Sequence, residues 1–158
     1  MRVGWGFDAH RLNDSGPLRI CGVVVSEDKG VEATSDGDVA LHAVADALLG
    51  AGALGDLGEH FPSSDERWHD ADSGELVAMV VEMLSGIDLQ PHQVDVTVIA
   101  QSIRIAPDRR EMREQLAVLL AIPFDRVSVK ATTTDRMGFI GAEEGIGAAA
   151  VVSVSPKT

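Results

Sequence analysis

Asp8-Ala9-His10 and His42 are the residues of this chain best suited to chemistry. In an extended segment side chains alternate with period two, so Asp8 and His10 point the same way and can grip one metal ion. With His42 the count reaches three donors of types that suit zinc. Three protein ligands leave a fourth position open, the arrangement of a catalytic rather than a structural site. His42 sits in Thr34-Ser35-Asp36-Gly37-Asp38-Val39-Ala40-Leu41-His42, where a polar turn enters an apolar helix. Asp38, His42 and Asp46 are four apart and stack along one face of that helix. Taken alone, the stripe reads as the solvated side of an amphipathic helix, and Asp-x-His is a common tripeptide.

A second cluster is Lys130-Ala131-Thr132-Thr133-Thr134-Asp135. Its threonines offer hydroxyl and backbone donors to phosphate oxygens; on propensity alone they are simply the end of a β-strand. The formal net charge of −12 argues against a nucleic-acid or anionic-membrane surface, which needs a basic face. A small phosphorylated substrate stays compatible if metal ions, helix N-termini or a few placed cations neutralise it. The single cysteine, Cys21, excludes an internal disulfide and reads as a small core residue. Met1 to His10 carry no apolar, signal-like core, and no stretch is long enough to span a membrane. The expected location is cytoplasmic.

Elements that position these residues follow from the pattern. Strands are predicted at Met1–Phe7, bounded by the polar stretch Asp8 to Gly16, and at Leu18–Val25, turning at Ser26 to Gly30. A helix is predicted from Asp38 to about Ala53, capped by Ser35 with Asp38 reaching back, and ending near Gly50 and Gly52. Gly55 to Asp65 reads as an irregular substrate loop. Asp72-Ser73-Gly74-Glu75 starts a second helix with Leu76, Val77, Val80 and Leu84 as its apolar stripe, ending at Gly86. Val94, Val96 and Val98 alternate as a half-buried strand; Pro107 introduces a third helix in which Met112, Leu116 and Leu119 share a face. Val127 and Val129 begin a further strand, and Ala148–Val154 closes the chain after the Gly-rich run Gly138 to Gly147. Five strands and three helices in this order do not alternate strictly. They predict an α+β fold, one mixed β-sheet with helices packed against it, in a single domain over residues 1–158.

Several segments taken together resemble a known family. They are Gly6-Phe7-Asp8-x-His10, Ser35 to His42, Leu54-Gly55-Asp56-Leu57-Gly58, Asp72-Ser73, Asp95 to Gln101 and Val129 to Thr134. The set, in order and over essentially the whole chain, resembles the 2-C-methyl-D-erythritol 2,4-cyclodiphosphate synthase family of non-mevalonate isoprenoid biosynthesis. The resemblance implies a phosphorus–oxygen lyase acting on 4-diphosphocytidyl-2-C-methyl-D-erythritol 2-phosphate. The 2-phosphate attacks the β-phosphorus, CMP leaves and a cyclic diphosphate forms. It also implies a homotrimer with active sites between adjacent subunits.

By the same resemblance, Asp8, His10 and His42 would hold zinc or another divalent transition metal, with the β-phosphate as fourth ligand. Asp8, Ala9, His10, Thr34 and Ser35 would contact substrate there. Asp56, Leu57 and Gly58 would meet the ribose, and Phe61, Pro62, Ser63, Ser64 and Asp65 would line the methylerythritol phosphate pocket. The cytidine diphosphate end would lie on Ala100, Gln101, Ser102, Ile103, Arg104, Ile105 and Ala106 together with Lys130, Ala131, Thr132, Thr133, Thr134 and Asp135. Phe139 would contribute a further substrate contact, and Asp135 would bind Mg2+ or Mn2+ across the α- and β-phosphates. Thr133 and Thr34 occupy the positions that act on the transition state.

Departures from the family pattern fall at functional positions. Thr34 stands where histidine is usual, Ser63 where an acidic residue is common, Ile103 where proline is usual. Gly141-Ala142-Glu143-Glu144-Gly145 has lost an arginine and gained a carboxylate, so the resemblance predicts no isoprenoid diphosphate in a cavity on the trimer axis. Two other functions fit the residues: a trimeric zinc- and nucleotide-binding homologue without turnover, serving regulation, and a related zinc phosphohydrolase releasing a linear diphosphate.

Overall fold

The computed structural model describes residues 1–157. In it the first strand does not stop at Phe7: β1 runs Arg2–Asn13, through Asp8 and His10. It is held open by the last strand, β7 (Gly145–Pro156), which pairs with it antiparallel from Arg2–Val154 to Arg11–Gly145. That pairing outweighs the polar character of Asp8 to Asn13, which alone suggested a boundary. The stretch Leu18–Val25 is a hairpin rather than one strand, β2 (Leu18–Ile20) and β3 (Val23–Ser26). Its turn residues Cys21 and Gly22 both have positive φ, as a two-residue primed turn requires. Gly30–Val31 adds a short β4 on the edge of β1.

The remaining strands are β5 (Leu89–Ile99) and β6 (Val127–Thr132). β5 runs antiparallel to β7 and parallel to β6, giving one mixed sheet in the order β4-β1-β7-β5-β6. The mixed sheet with packed helices is the one the pattern predicted. Helix α1 is Val39–Gly52, α2 Leu57–His60, α3 Ser73–Ser85, α4 Arg109–Leu120 and α5 Gly138–Gly141. The irregular stretch after Gly55 thus contains a helical turn, and the Gly-rich run after Gly138 supplies another and the start of β7. Along α4 the buried row is Met112, Leu116 and Leu120, with Leu119 only half-buried.

Helices lie on one face of the sheet, where Val94, Val96, Val98, Val129, Ala148, Ala150 and Val152 are buried. On the opposite face Val3 and Trp5 are 65% and 63% exposed, beside Phe7 and Val151. Trp5 and Phe7 stack there with ring centroids 6.2 Å apart. No helix is long and apolar enough to cross a membrane among the described residues.

The approach of α1 to β1 is set by glycine. A Cβ on Gly4 would lie 1.9 Å from the Ala47 carbonyl oxygen, and one on Gly6 2.1 Å from that of Ala43. Backbone meets backbone there, so the even-numbered residues of β1 face α1 at the shortest range a helix and a strand can adopt. Asp8 and His10 continue that even row.

Helix α1 starts one step later than the sequence suggested, because Asp38 and not Ser35 is its N-cap. The Asp38 side chain accepts from Leu41 N at 3.0 Å and also from the backbone N–H groups of Cys21 (3.0 Å) and Gly22 (2.6 Å). One carboxylate thereby ties the β2–β3 turn to the start of α1. Burial pushes the Asp38 carboxyl up, against the pull of those three donors. At the other end Ala53, not a glycine, takes the left-handed position, and its N–H bonds to Gly50 and Leu49 carbonyls.

Gly6→Ala is expected to destabilise the chain by about 3 kcal/mol or more, since the clash is with backbone that cannot turn aside. Urea unfolding measures it, and the same variant should lose metal by displacing α1 from β1.

Candidate active site

Parity along β1 puts the Asp8 and His10 side chains on the α1 side, and His42 one turn into α1 meets them. Asp8 Oδ2 lies 2.9 Å from His10 Nε2 and 3.0 Å from His42 Nδ1, and the two nitrogens are 3.1 Å apart. The three form a mutual cluster of possible metal ligands. Tetrahedral zinc with bonds of about 2.0–2.1 Å separates its donors by about 3.3 Å, close to these spacings. Among the described residues Asp8 pairs with His10 and His42 alone, and one carboxylate with two imidazoles fits a divalent metal.

Electrostatics favour the same conclusion. Burial alone would push the Asp8 carboxyl up, but hydrogen bonding and positive charge at His10 and His42 outweigh it and hold it well below the usual carboxylate range.

The remainder of the stripe on α1 is not solvated, contrary to its simplest reading. Asp38 is fully buried and His42 nearly so. Asp46 accepts from Leu57 N at 3.0 Å and so fixes the start of α2. Asp56 caps α2 by accepting from Glu59 N at 2.9 Å. Asp8, His10, His42, Asp46, Asp56, Leu57 and Gly58 line one hollow with Phe7. On the other side of His10 and His42 a more apolar hollow is lined by Ala33, Thr34, Ser35, Leu57, Phe61, Ser63, Trp68 and Leu76.

Of the loop residues expected at the second hollow, Phe61 and Ser63 line it; Pro62, Ser64 and Asp65 do not. Phe61 is buried and meets Trp68 edge to face, ring centroids 4.9 Å apart. Asp65 caps the 3-10 turn Glu66–Trp68 and pairs with Arg67 at 2.6 Å. Phe139 lines a third hollow with Ala9, His10 and Arg11.

The nucleotide-end residues gather elsewhere. Ala100, Gln101, Ile103, Arg104, Ile105, Ala106, Ala131, Thr132 and Thr133 share a hollow with Arg109, which sequence reasoning did not single out. Ser102, Thr134 and Asp135 are not among its lining residues. Thr134 Oγ1 donates to the Met137 carbonyl at 2.7 Å, Thr133 Oγ1 accepts from Asp135 N at 3.2 Å, and Gln101 Oε1 accepts from Arg136 N at 2.9 Å. Asp135 and Arg136 both have positive φ, making a tight turn beyond β6. Lys130 pairs with Asp95, which lines a hollow with Val3, Gln93, Val151 and Ser153 on the helix-free face. Alternation along β6 turns it away from the hollow of Ala131 and Thr133.

Asp36 and Ser73 were missed as site residues. Ser73 is fully buried, and its hydroxyl lies 2.9 Å from His42 Nε2. Asp72-Ser73 reads as a helix start and as one of the segments that carry the family resemblance, and nothing local to it signals a partner in α1.

Metal binding is expected to release protons, and because Asp8 is already ionised the number is limited to the two imidazoles. Calorimetric zinc titration at pH 6 in buffers of different ionisation enthalpy should count no more than two protons per metal.

The chain matches the YgbB family over residues 1–155. It is 51% identical over 154 residues to the 2-C-methyl-D-erythritol 2,4-cyclodiphosphate synthase of Salinibacter ruber, covering 98% of each chain. The bifunctional IspDF from Campylobacter jejuni superposes with a TM-score of 0.95 at 36% identity, covering 98% of this chain and 42% of that longer one. A 2C-methyl-D-erythritol-2,4-cyclodiphosphate synthase in its CDP-bound form superposes with a TM-score of 0.89 at 32% identity, covering 98% of this chain and 100% of that one. Matched from end to end in both sequence and backbone, the chain belongs to the YgbB family, among relatives named 2-C-methyl-D-erythritol 2,4-cyclodiphosphate synthase.

Proposed function

We propose that this chain converts 4-diphosphocytidyl-2-C-methyl-D-erythritol 2-phosphate to 2-C-methyl-D-erythritol 2,4-cyclodiphosphate and CMP, as a phosphorus–oxygen lyase. The observation that carries the reading is the Asp8–His10–His42 donor cluster, set between two hollows in a chain related over its whole length to enzymes of that name.

The reaction is balanced within one molecule. An oxygen of the 2-phosphate forms a bond to the β-phosphorus, and the bond from that phosphorus to the oxygen shared with the α-phosphate breaks. CMP leaves with that oxygen, and no water enters. Such a transfer needs two phosphates held in line with their charge neutralised, and little covalent help. A divalent metal at Asp8, His10 and His42, zinc in this reading, supplies Lewis-acid neutralisation of phosphate charge. The chain itself has a formal net charge of −12, so neutralisation must be local.

Its own residues supply binding and orientation. Thr34 and Ser35 face the apolar hollow beside His42 and offer hydroxyls to phosphate oxygens. Asp56, Leu57 and Gly58 stand across the metal cluster, where the α2 turn meets a ribose. Phe61 and Trp68 form the apolar wall against the methylerythritol carbons and exclude water, which favours ring closure over hydrolysis. Thr132, Thr133 and Asp135 take the nucleotide diphosphate, Thr133 steadying the transition state and Asp135 holding Mg2+ or Mn2+.

Those two halves do not meet within one chain. Ala9, Gly147, Ile99 and Thr132 lie in one row across the sheet. Three strand spacings of about 4.8 Å put Ala9 and Thr132 about 14 Å apart, too far for adjacent phosphates of one diphosphate. A homotrimer with each site completed by a neighbour's Thr132–Asp135 turn removes the difficulty. The exposed apolar residues Val3, Trp5, Phe7 and Val151 supply a face for that assembly.

Phosphorus NMR with the cytidine diphosphate substrate tests the reading: CMP and a cyclic diphosphate should appear with metal and vanish with a chelator. A linear diphosphate would make the protein a hydrolase, and unchanged substrate at full metal occupancy would leave it a binding protein. Thr34→His should raise kcat about tenfold or more by adding a second, cationic donor beside the phosphates, read from initial rates of CMP release.

A further inference from the structure

We propose that Ser73 and Asp36 are positioning residues that fix which ring nitrogen of His42 faces the metal cluster. The proposal rests on the reading of Asp8, His10 and His42 as metal ligands and adds a hydrogen-bonded relay behind them.

The argument is a count of hydrogens. Asp36 accepts from the backbone N–H of Ser73 at 3.0 Å and from that of Asp38 at 3.1 Å. The Ser73 hydroxyl also lies within hydrogen-bond range of its carboxylate. An ionised carboxylate only accepts, so the hydroxyl's single hydrogen is committed to Asp36. Toward His42 Nε2, 2.9 Å away, Ser73 Oγ therefore can only accept. The opposite assignment would press two lone-pair oxygens together with no hydrogen between them, in a site where Ser73 is fully buried. Nε2 must carry a hydrogen, which leaves Nδ1 as the nitrogen that would meet a metal ion. Nδ1 is the atom 3.0 Å from Asp8 Oδ2 and 3.1 Å from His10 Nε2.

Ser35 brackets the same Nε2 at 3.0 Å and accepts from Gly37 N at 3.3 Å. With Nε2 protonated, the Ser35 hydroxyl hydrogen cannot go to His42. It is left for the hollow that Ser35 lines, as a donor to a phosphate oxygen. The relay also couples the ligand to the loop before α3. Backbone bonds from Asp36 N to Ala71 O (3.1 Å) and from Asp70 N to Thr34 O (2.8 Å) hold the two segments in register. Outer partners of a ligating histidine orient the ring and raise its basicity, and their loss commonly weakens metal binding 10–100-fold.

The test uses the full chain loaded with zinc. Nitrogen–proton NMR of the imidazoles at pH 8 should show the hydrogen of His42 on Nε2 and the metal on Nδ1. In chelator competition, Ser73→Ala should weaken zinc binding by about 10–100-fold, and Asp36→Asn, which keeps an acceptor for the hydroxyl, by less. Ser73→Thr, which keeps the hydroxyl, should recover most of the affinity. A merely structural Ser73 would lower the urea midpoint while leaving zinc affinity and the His42 ring pattern as in the unaltered chain, and that result would overturn the proposal. A hydrogen on Nδ1 in the zinc-loaded, unaltered chain would overturn it equally. If the unaltered chain shows the Nε2 hydrogen yet binds no zinc, the relay stands and the metal reading falls.

Discussion

Everything in this fold depends on how closely α1 lies against β1. Gly4 and Gly6 bring the helix backbone to within contact of the strand backbone, at the carbonyls of Ala47 and Ala43. Two residues further along the same face of β1 are Asp8 and His10, and one residue before Ala43 is His42. With side chains at positions 4 and 6 the elements would stand apart, and a histidine on α1 would not reach a carboxylate on β1. The chemistry of the cluster is thus a consequence of an interface that has no side chain on one side.

Such tight packing buries polar groups, and the chain meets that cost with directed hydrogen bonds. Asp38 accepts three backbone N–H groups, two from the β2–β3 turn and one from its own helix. Asp46 and Asp56 fix α2 in the same way, and Asp36 fixes the start of α3. At Asp38, which is fully buried, the N–H donors replace lost water. The acidic composition therefore has a structural use around α1: aspartates serve as joints between segments. Of the cations, Arg104 and Arg109 line the hollow beside the end of β6, while others pair with carboxylates. Lys130 is spent on Asp95, Arg67 on Asp65 and Arg110 on Glu114.

The sheet divides the functional residues between two places. Metal donors gather on β1, near one edge; the threonine turn follows β6, at the other edge. Both lie at the same end of their strands, about 14 Å apart across the sheet. A helix-free face of exposed apolar residues lies between them on the reverse side.

The sequence by itself determined the local features. Period-two alternation placed Asp8 and His10 on one side, the Ala- and Leu-rich run made α1 helical, and the order of elements implied a mixed sheet with helices packed on it. Where a residue's partner lies within a few positions, such reasoning suffices. It failed where the partner is distant in the chain. β1 runs on to Asn13 because β7, more than 130 residues later, pairs with it. Asp38 took the cap from Ser35 because the β2–β3 turn offers it two further donors, and Asp38 and His42 are buried because β1 and the loops close over them. Asp36, Ser73 and His42 meet only because folding sets α3 beside α1. Spacing along the chain fixes direction and period; which side chains share a site is decided by contacts between segments, and those the tertiary structure alone decided.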